Sequence, residues 1–298
     1  MVEQSDVDAL RTASPPSPQH LIDGQKIDAS DGAVMANTSP IDGQALGALA
    51  RGTSEDVDRA VAAARRAFDD GRWSGLAPAA RKKVMHRIAD LIEQHMLELA
   101  VLGVRDNGTE ISMALRAEPG SAAGTFRYYA ETCDKINGDI APTPPGTLGL
   151  IHREPVGVVG AIVPWNFPLM IAAWKLAPAL AMGNSVVIKP AEVASMSILR
   201  LVELCHEAGL PDGVLNAVTG EGAVVGEALG LHGDVDVLLF TGSGGVGRRL
   251  LEYSARSNLK RVYLELGGKS PNVVFEDFAN LGKAAKVSAG GIFRDSGQ

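Results

Sequence analysis

Five short apolar runs, each followed at once by a glycine or polar cluster, constrain this chain more than any other feature. They are VGVVGAIV (156–163), SVVIK (185–189), VLNAV (214–218), VDVLLF (235–240) and RVYLEL (261–266). Short continuous runs without polar alternation suit strands buried on both faces. Their starts lie 21 to 29 residues apart, and amphipathic helical segments fill most of the gaps. That spacing predicts an α/β fold: a parallel sheet with right-handed crossovers and flanking helices. Such sheets bind ligands at the carboxyl ends of their strands. Each run here ends in chemistry: Pro164-Trp165-Asn166, Lys189-Pro190, Gly220 with Gly222, Thr241-Gly242-Ser243, and Gly267-Gly268-Lys269.

The first half of the chain reads differently. Residues 1–20 are polar and Pro/Ser-rich, and a loose N-terminal segment is expected there. HLIDGQ and VMANTSPIDGQALG suggest short strands joined by Asp23-Gly24 and Asp42-Gly43 turns. A helix is predicted from Thr53-Ser54, with acid in its first turn and a stripe of Val57, Val61, Ala64 and Phe68. A second, longer one runs from Pro78, with Val84, Ile88, Leu91, Ile92 and Leu99 on one face, and ends by Asn107-Gly108. GDIAPTPPGTLGLIHREPVG (138–157) is proline-stiffened and reads as an arm leaving the domain.

Composition narrows the function classes. With 46% apolar residues the chain has ample core, and a net charge of −7 disfavours nucleic acid or an anionic membrane as partner. The longest apolar stretch, Leu169 to Met182, is interrupted by Lys175 and Pro178 and is too short to span a bilayer. Two cysteines, Cys133 and Cys205, cannot build a disulfide framework, and no basic start precedes an apolar leader. A cytoplasmic protein is expected, with no metal site.

The clusters carry functional and bland readings side by side. GEGAVVG (220–226) and GSGGVG (242–247) are strand-to-helix turns, where glycine lets the backbone approach a phosphate and the helix start offers free N–H groups. Neither matches the spacing G-x-G-x-x-G, and ordinary helix-entry turns are the alternative. Lys189 and Glu192 suit a ribose or phosphate, or else a solvated ion pair. Asn166 either donates to a developing oxyanion or caps the next helix. Glu265 is predicted to be desolvated within a buried strand and so strengthened as a base, unless alternation turns it to solvent.

PWNFP (164–168), IKPAE (188–192), FTGS (240–243) and LELGGKSPN (264–272) stand in the order and spacing of the aldehyde dehydrogenase superfamily. The resemblance runs from about residue 20 to the last residue. ETCDKINGDIAP, LIHREPVGVVGAIVPWNFPL and KVSAGGIFRDSGQ resemble the branch that oxidises γ-glutamylaminobutyraldehyde and related ω-amino aldehydes.

The resemblance implies NAD as cofactor, an aldehyde as substrate and a homodimer or homotetramer. It implies a Rossmann-like NAD-binding domain at 21–137 and 156–266, an oligomerisation arm at 138–155 and the start of a catalytic domain at 267–298. Asn166 would form part of the oxyanion hole, Glu265 would be the general base on a thioester, and Lys175 would relay protons. Lys189 and Glu192 would hold the adenosine ribose, with the carboxylate repelling a 2′-phosphate. Gly222, Gly226, Ser243 and Val246 would line the adenine and pyrophosphate site, and Ile162, Trp165 and Thr241 would pack near the cofactor. Val163, Phe240, Gly242, Gly247, Leu266 and Gly267 complete the cofactor-binding set, with Gly267 beside the nicotinamide.

The family's nucleophile is a cysteine just after a Gly-Gln pair like Gly297-Gln298, where this sequence stops. Cys205 falls in register with Ile198, Leu201 and Val202 and reads as core, while Cys133 lies far from the strand ends. The chain alone is therefore expected to be inactive. A non-catalytic NAD-binding or subunit-pairing module is the alternative. A third reading is a remnant whose Val273, Val274, Ile292 and Phe293 are exposed. DNGTEI (106–111) departs from relatives by carrying Glu110 where a lysine is common.

Overall fold

The computed structural model describes residues 3–13 and 19–293, so Gly297-Gln298 lies outside the described residues. The N-terminal segment is not wholly loose: α1 (Gln4–Thr12) is a helix packed against a later one, and Arg105 donates to the Ala13 carbonyl. β1 (His20–Ile22) and β2 (Gln25–Ile27) form a hairpin. Its two turn residues, Asp23 and Gly24, have φ of 53° and 74°, the left-handed pair that matches strand twist. β3 (Val34–Thr38) and β4 (Ala45–Ala50) make a second antiparallel pair.

α2 (Ser54–Asp69) begins as expected. Thr53 and Asp56 form a reciprocal capping box, and Val57, Val61 and Ala64 are fully buried. The single long helix predicted after Pro78 is instead two, α3 (Pro78–Gln94) and α4 (Met96–Asn107), hinged at His95 (φ −100°, ψ 19°). The break lets each half bury its own stripe, α3 chiefly against the helix at 119–132 and α4 chiefly against those at 111–117 and 196–207. α5 (Ile111–Ala117) and α6 (Pro119–Thr132) follow, meeting at Glu118. Among the described residues β5 (Asp139–Ala141) and β6 (Gly149–Ile151) pair only with each other, and Ile140, Leu150 and Ile151 are exposed.

The second half alternates as its spacing predicts. β7 (Val158–Ile162), α7 (Pro168–Ala181), β8 (Ser185–Lys189), α8 (Met196–Glu207) and β9 (Leu215–Ala217) lead into a π-helical turn, Gly222–Gly226. Then come α9 (Glu227–Leu231), β10 (Val237–Gly242), α10 (Gly244–Arg256), β11 (Arg261–Leu266) and α11 (Leu281–Ile292). The strands join in the order β11-β10-β7-β8-β9-β1-β2, the first five parallel and the β1–β2 hairpin antiparallel.

Both faces of this sheet are covered. Val159, Ala161, Val186 and Ile188 point to the layer containing α7, α8, α3 and α6. Val158, Ile162, Val187, Leu238 and Phe240 point to α2, α9 and α10. The edge strand β11 is the exception, because nothing in the described chain covers its outer side. Beyond it α11 buries no residue, and Val273, Val274, Ile292 and Phe293 are exposed. Among the described residues, no helix is long and apolar enough to cross a membrane.

Candidate functional site

Chain order reverses at one point in the sheet. From β7 the strands proceed outward to β8 and β9 on one side, and to β10 and β11 on the other. At such a reversal neighbouring connections leave to opposite faces and open a crevice at the carboxyl edge. A cleft of ≈ 600 Å³ lies there.

The cleft's walls are the strand-end clusters. Ile162, Val163 and Trp165 come from the end of β7, and Lys189 and Glu192 from the end of β8. Gly222 and Gly226 come from the turn after β9, and Phe240, Thr241, Gly242, Ser243 and Val246 from β10 and the start of α10. Pro164, Ala191, Glu221 and Ala223 line it from within the same strand-end motifs, whereas Glu227, Arg249, Leu250 and Tyr253 carried no motif. Only folding of α9 and α10 onto the sheet brings those last four in.

Lys189 is 2% exposed, and its Nζ donates to Glu192 Oε2 at 2.6 Å. Burial lowers the ammonium's pKa, partly opposed by the Glu192 charge. Burial would raise the Glu192 carboxyl, but Lys189 outweighs it and holds the group below the usual range. The pair is therefore a charged, half-sheltered fork at the cleft, not a solvated surface contact.

Two helix starts face the same space. Ser243 caps α10 by accepting the Val246 N–H at 3.4 Å. The Gly222–Gly226 turn is held from behind: Arg51 pairs with Glu221 at 3.0 Å, and Gly52 donates its N–H to the Thr219 carbonyl. Gly220 has φ 146°, and a Cβ there would stand 2.6 Å from Val225 Cγ2 and 2.9 Å from the Gly52 nitrogen. No side chain fits between those backbones.

On the α7 face of the sheet lies a second group. Lys175 Nζ donates to Thr241 Oγ1 at 2.8 Å, and Thr241 is in parallel register with Glu265. Burial lowers the Lys175 pKa to about 8, with the Glu265 charge opposing it. Lys175 and Glu265 share a pocket of ≈ 480 Å³ with Trp174 and Tyr263. Of the two readings of Glu265, the solvent-facing one holds among the described residues: it is exposed on β11, which pairs there with β10.

Asn166 is half-buried in the loop between β7 and α7. It does not cap α7. That helix is capped from a distance by Glu118, whose carboxylate accepts the Met170 N–H at 2.8 Å. Asn107 donates to the carbonyls of Trp165 and Asn166 at 3.3 and 3.2 Å.

Three expected cofactor residues fall outside the cleft lining. Gly247 is buried, with Leu266 2.8 Å from where its Cβ would stand, so it and Leu266 pack α10 on β11. Gly267 follows the exposed end of β11 and faces open space. Asp106, Asn107 and Glu118 carried no assigned role, because a polar residue at a helix end gives no sign of which distant loop it will hold.

Neither cysteine approaches the cleft. Cys205 is fully buried and burial pushes its thiol up; His206, its neighbour, turns Nε2 to the Leu215 carbonyl at 3.1 Å. Cys133 is 6% exposed, with its thiol likewise pushed up by burial despite nearby Arg81.

Comparison with known proteins places this arrangement. The residue pattern of the aldehyde dehydrogenase family matches residues 27–298. The NADP/NAD-dependent aldehyde dehydrogenase PuuC of Escherichia coli K12 is 49% identical over 278 residues, 93% of this chain and 56% of that protein. The aldehyde dehydrogenase KauB from Pseudomonas aeruginosa superposes with a TM-score of 0.94 at 46% identity, covering 98% of this chain and 59% of that one. The γ-glutamyl-γ-aminobutyraldehyde dehydrogenase of Burkholderia cenocepacia J2315 gives a TM-score of 0.93 at 46% identity, with coverage of 98% and 59%. The chain thus spans about half the length of the curated relatives it matches. By fold, by the cleft at its strand reversal and by this match over nearly its whole length, the chain belongs to the aldehyde dehydrogenase family.

Proposed function

We propose that this chain is the cofactor-binding portion of an NAD-dependent enzyme that oxidises an aldehyde to a carboxylic acid. The observation that carries the reading is the cleft at the β7/β10 reversal, furnished with a half-sheltered Lys189–Glu192 fork and two glycine-rich helix starts. A structure of the related indole-3-acetaldehyde dehydrogenase is described as complexed with NAD+, which supports the cofactor.

The residues fit that group. Lys189 and Glu192 together offer a donor and an acceptor to vicinal ribose hydroxyls, and Glu192 repels a 2′-phosphate. The N–H groups at the start of α10 and around Gly222–Gly226 suit a pyrophosphate, since unpaired helix-start donors favour anions. Ile162, Val163, Trp165, Phe240 and Val246 supply apolar walls. Bound NAD supplies a hydride acceptor. Asn166 serves the developing oxyanion, and Glu265 activates water against the acyl intermediate. Lys175, titrating near 8 and bonded to Thr241, passes the proton from Glu265 onward. Gly267 and Leu266 remain in the proposed set as the segment following Glu265.

In the domain reading, residues 21–137 and 156–266 form a Rossmann-like NAD-binding domain and 267–298 begin the catalytic one. The β5–β6 hairpin within 138–155, exposed and unpaired with the main sheet, is an oligomerisation arm for a homodimer or homotetramer. Two buried free thiols accord with a cytoplasmic home. One observation favours the narrower alternative: Cys133 and Cys205 are sealed in the core, so neither serves as nucleophile, and the described residues read as an NAD-binding module.

NAD titration followed by tryptophan fluorescence tests the cofactor reading, and saturable binding is expected. An extension of the chain to the family's length should then form NADH when given an aldehyde, with Glu265→Gln slowing acyl hydrolysis. Absence of NAD binding by the folded chain removes the cofactor reading. Absence of turnover with any aldehyde by the extended protein removes the catalytic one.

A further inference from the structure

We infer that Asn107 is the positioning residue of the loop carrying Trp165 and Asn166, an inference that rests on the proposed roles of those two residues. Asn107 is the last residue of α4, and Gly108 after it turns left-handed with φ 76°. Its Oδ1 accepts the Thr109 N–H at 2.9 Å. That bond fixes which way the amide faces, because only the oxygen can accept. The Nδ2 group is thereby aimed across the gap, donating to the carbonyls of Trp165 at 3.3 Å and Asn166 at 3.2 Å.

The anchor is itself immobilised. Asp106, one residue earlier, is 2% exposed and accepts from Asn37 Nδ2 at 2.9 Å and from the Met196 N–H at 2.5 Å. The far end of the same loop is held by Glu118 at the Met170 N–H. The loop is therefore clamped at both ends by side chains from α4 and from the α5–α6 junction. Asn107 does not line the cleft. It acts through the backbone of two residues, one in the cleft wall and one proposed to meet the oxyanion.

Asn107→Asp separates this role from local capping. A carboxylate keeps the acceptor for Thr109 and loses both donors to the loop, whereas Asn107→Ala loses everything. Three measurements on the full chain decide it: amide hydrogen exchange across residues 163–168, NAD-dependent quenching of fluorescence assigned by Trp165→Phe, and the thermal midpoint. Asn107→Asp should lower the midpoint less than Asn107→Ala does, while loop exchange speeds up and NAD affinity falls, each about tenfold, as loss of one or two neutral hydrogen bonds implies.

Loop exchange as slow as in the wild type overturns the inference. So does exchange rising equally along α4 with a midpoint as low as that of Asn107→Ala, which makes the residue a cap only. If the wild type shows no NAD quenching yet Asn107→Asp still loosens 163–168, the cofactor reading fails and the positioning role stands.

Discussion

Replacing Asp106 by asparagine should flatten the pH dependence of stability. The carboxyl is almost fully enclosed, and burial raises its pKa from 3.8 to about 7 against the opposing hydrogen bonds from Asn37 and Met196. The folded chain therefore holds this proton more tightly than the unfolded chain does. Its contribution to stability is complete below the unfolded value of 3.8 and is lost as pH rises through about 7. Each pH unit between those values removes about 1.4 kcal/mol, or about 4 kcal/mol across the window. Asparagine keeps an acceptor and an uncharged group at the site, so it escapes that loss. Urea unfolding of both proteins at about pH 5 and about pH 7 should show the wild type losing about 3 kcal/mol relative to Asp106→Asn. Groups titrating identically in both, His20 among them, cancel in the difference. A stability gap that does not change with pH refutes the argument that burial dominates over the hydrogen bonds at Asp106.

Glu192→Gln should weaken NAD binding about tenfold, because a charge-assisted acceptor is lost and the buried Lys189 charge goes unmatched; it should also narrow the gap between NAD and NADP in parallel titrations. Gly220→Ala forces a Cβ into the Val225 and Gly52 contacts at positive φ, and should lower stability by roughly 2 kcal/mol or more in thermal or urea unfolding. Cys133 and Cys205, both buried with thiols pushed up, should resist a thiol reagent in the native chain and react in denaturant, since only the thiolate is nucleophilic. Rapid native labelling of either would show that the core around α6 or α8 opens.

What could be read along the chain was whatever local chemistry dictates. The runs at 185–189 and 261–266 are strands to the residue, because short apolar stretches between helical segments have few other ways to hide. The Thr53–Asp56 capping box and the Asp23-Gly24 turn were legible for the same reason: their partners lie within a few residues. Lys189 and Glu192 are three apart on one loop, so their pairing followed from the sequence as well.

Tertiary structure decided everything that depends on which surfaces meet. The break at His95 conserves helical periodicity on both sides and is set by what α3 and α4 each pack against. Glu265 has the sequence context of a buried strand, yet a side chain is buried only where a layer covers its face, and among the described residues Glu265 stays exposed. Gly247 looks like part of a phosphate turn, yet it packs against Leu266 between α10 and β11. Asn107 and Glu118 hold the Asn166 loop across separations of 59 and 52 residues. A hydrogen bond over that distance leaves no periodic trace, because its two ends are brought together by the packed layers between them and not by the chain that joins them.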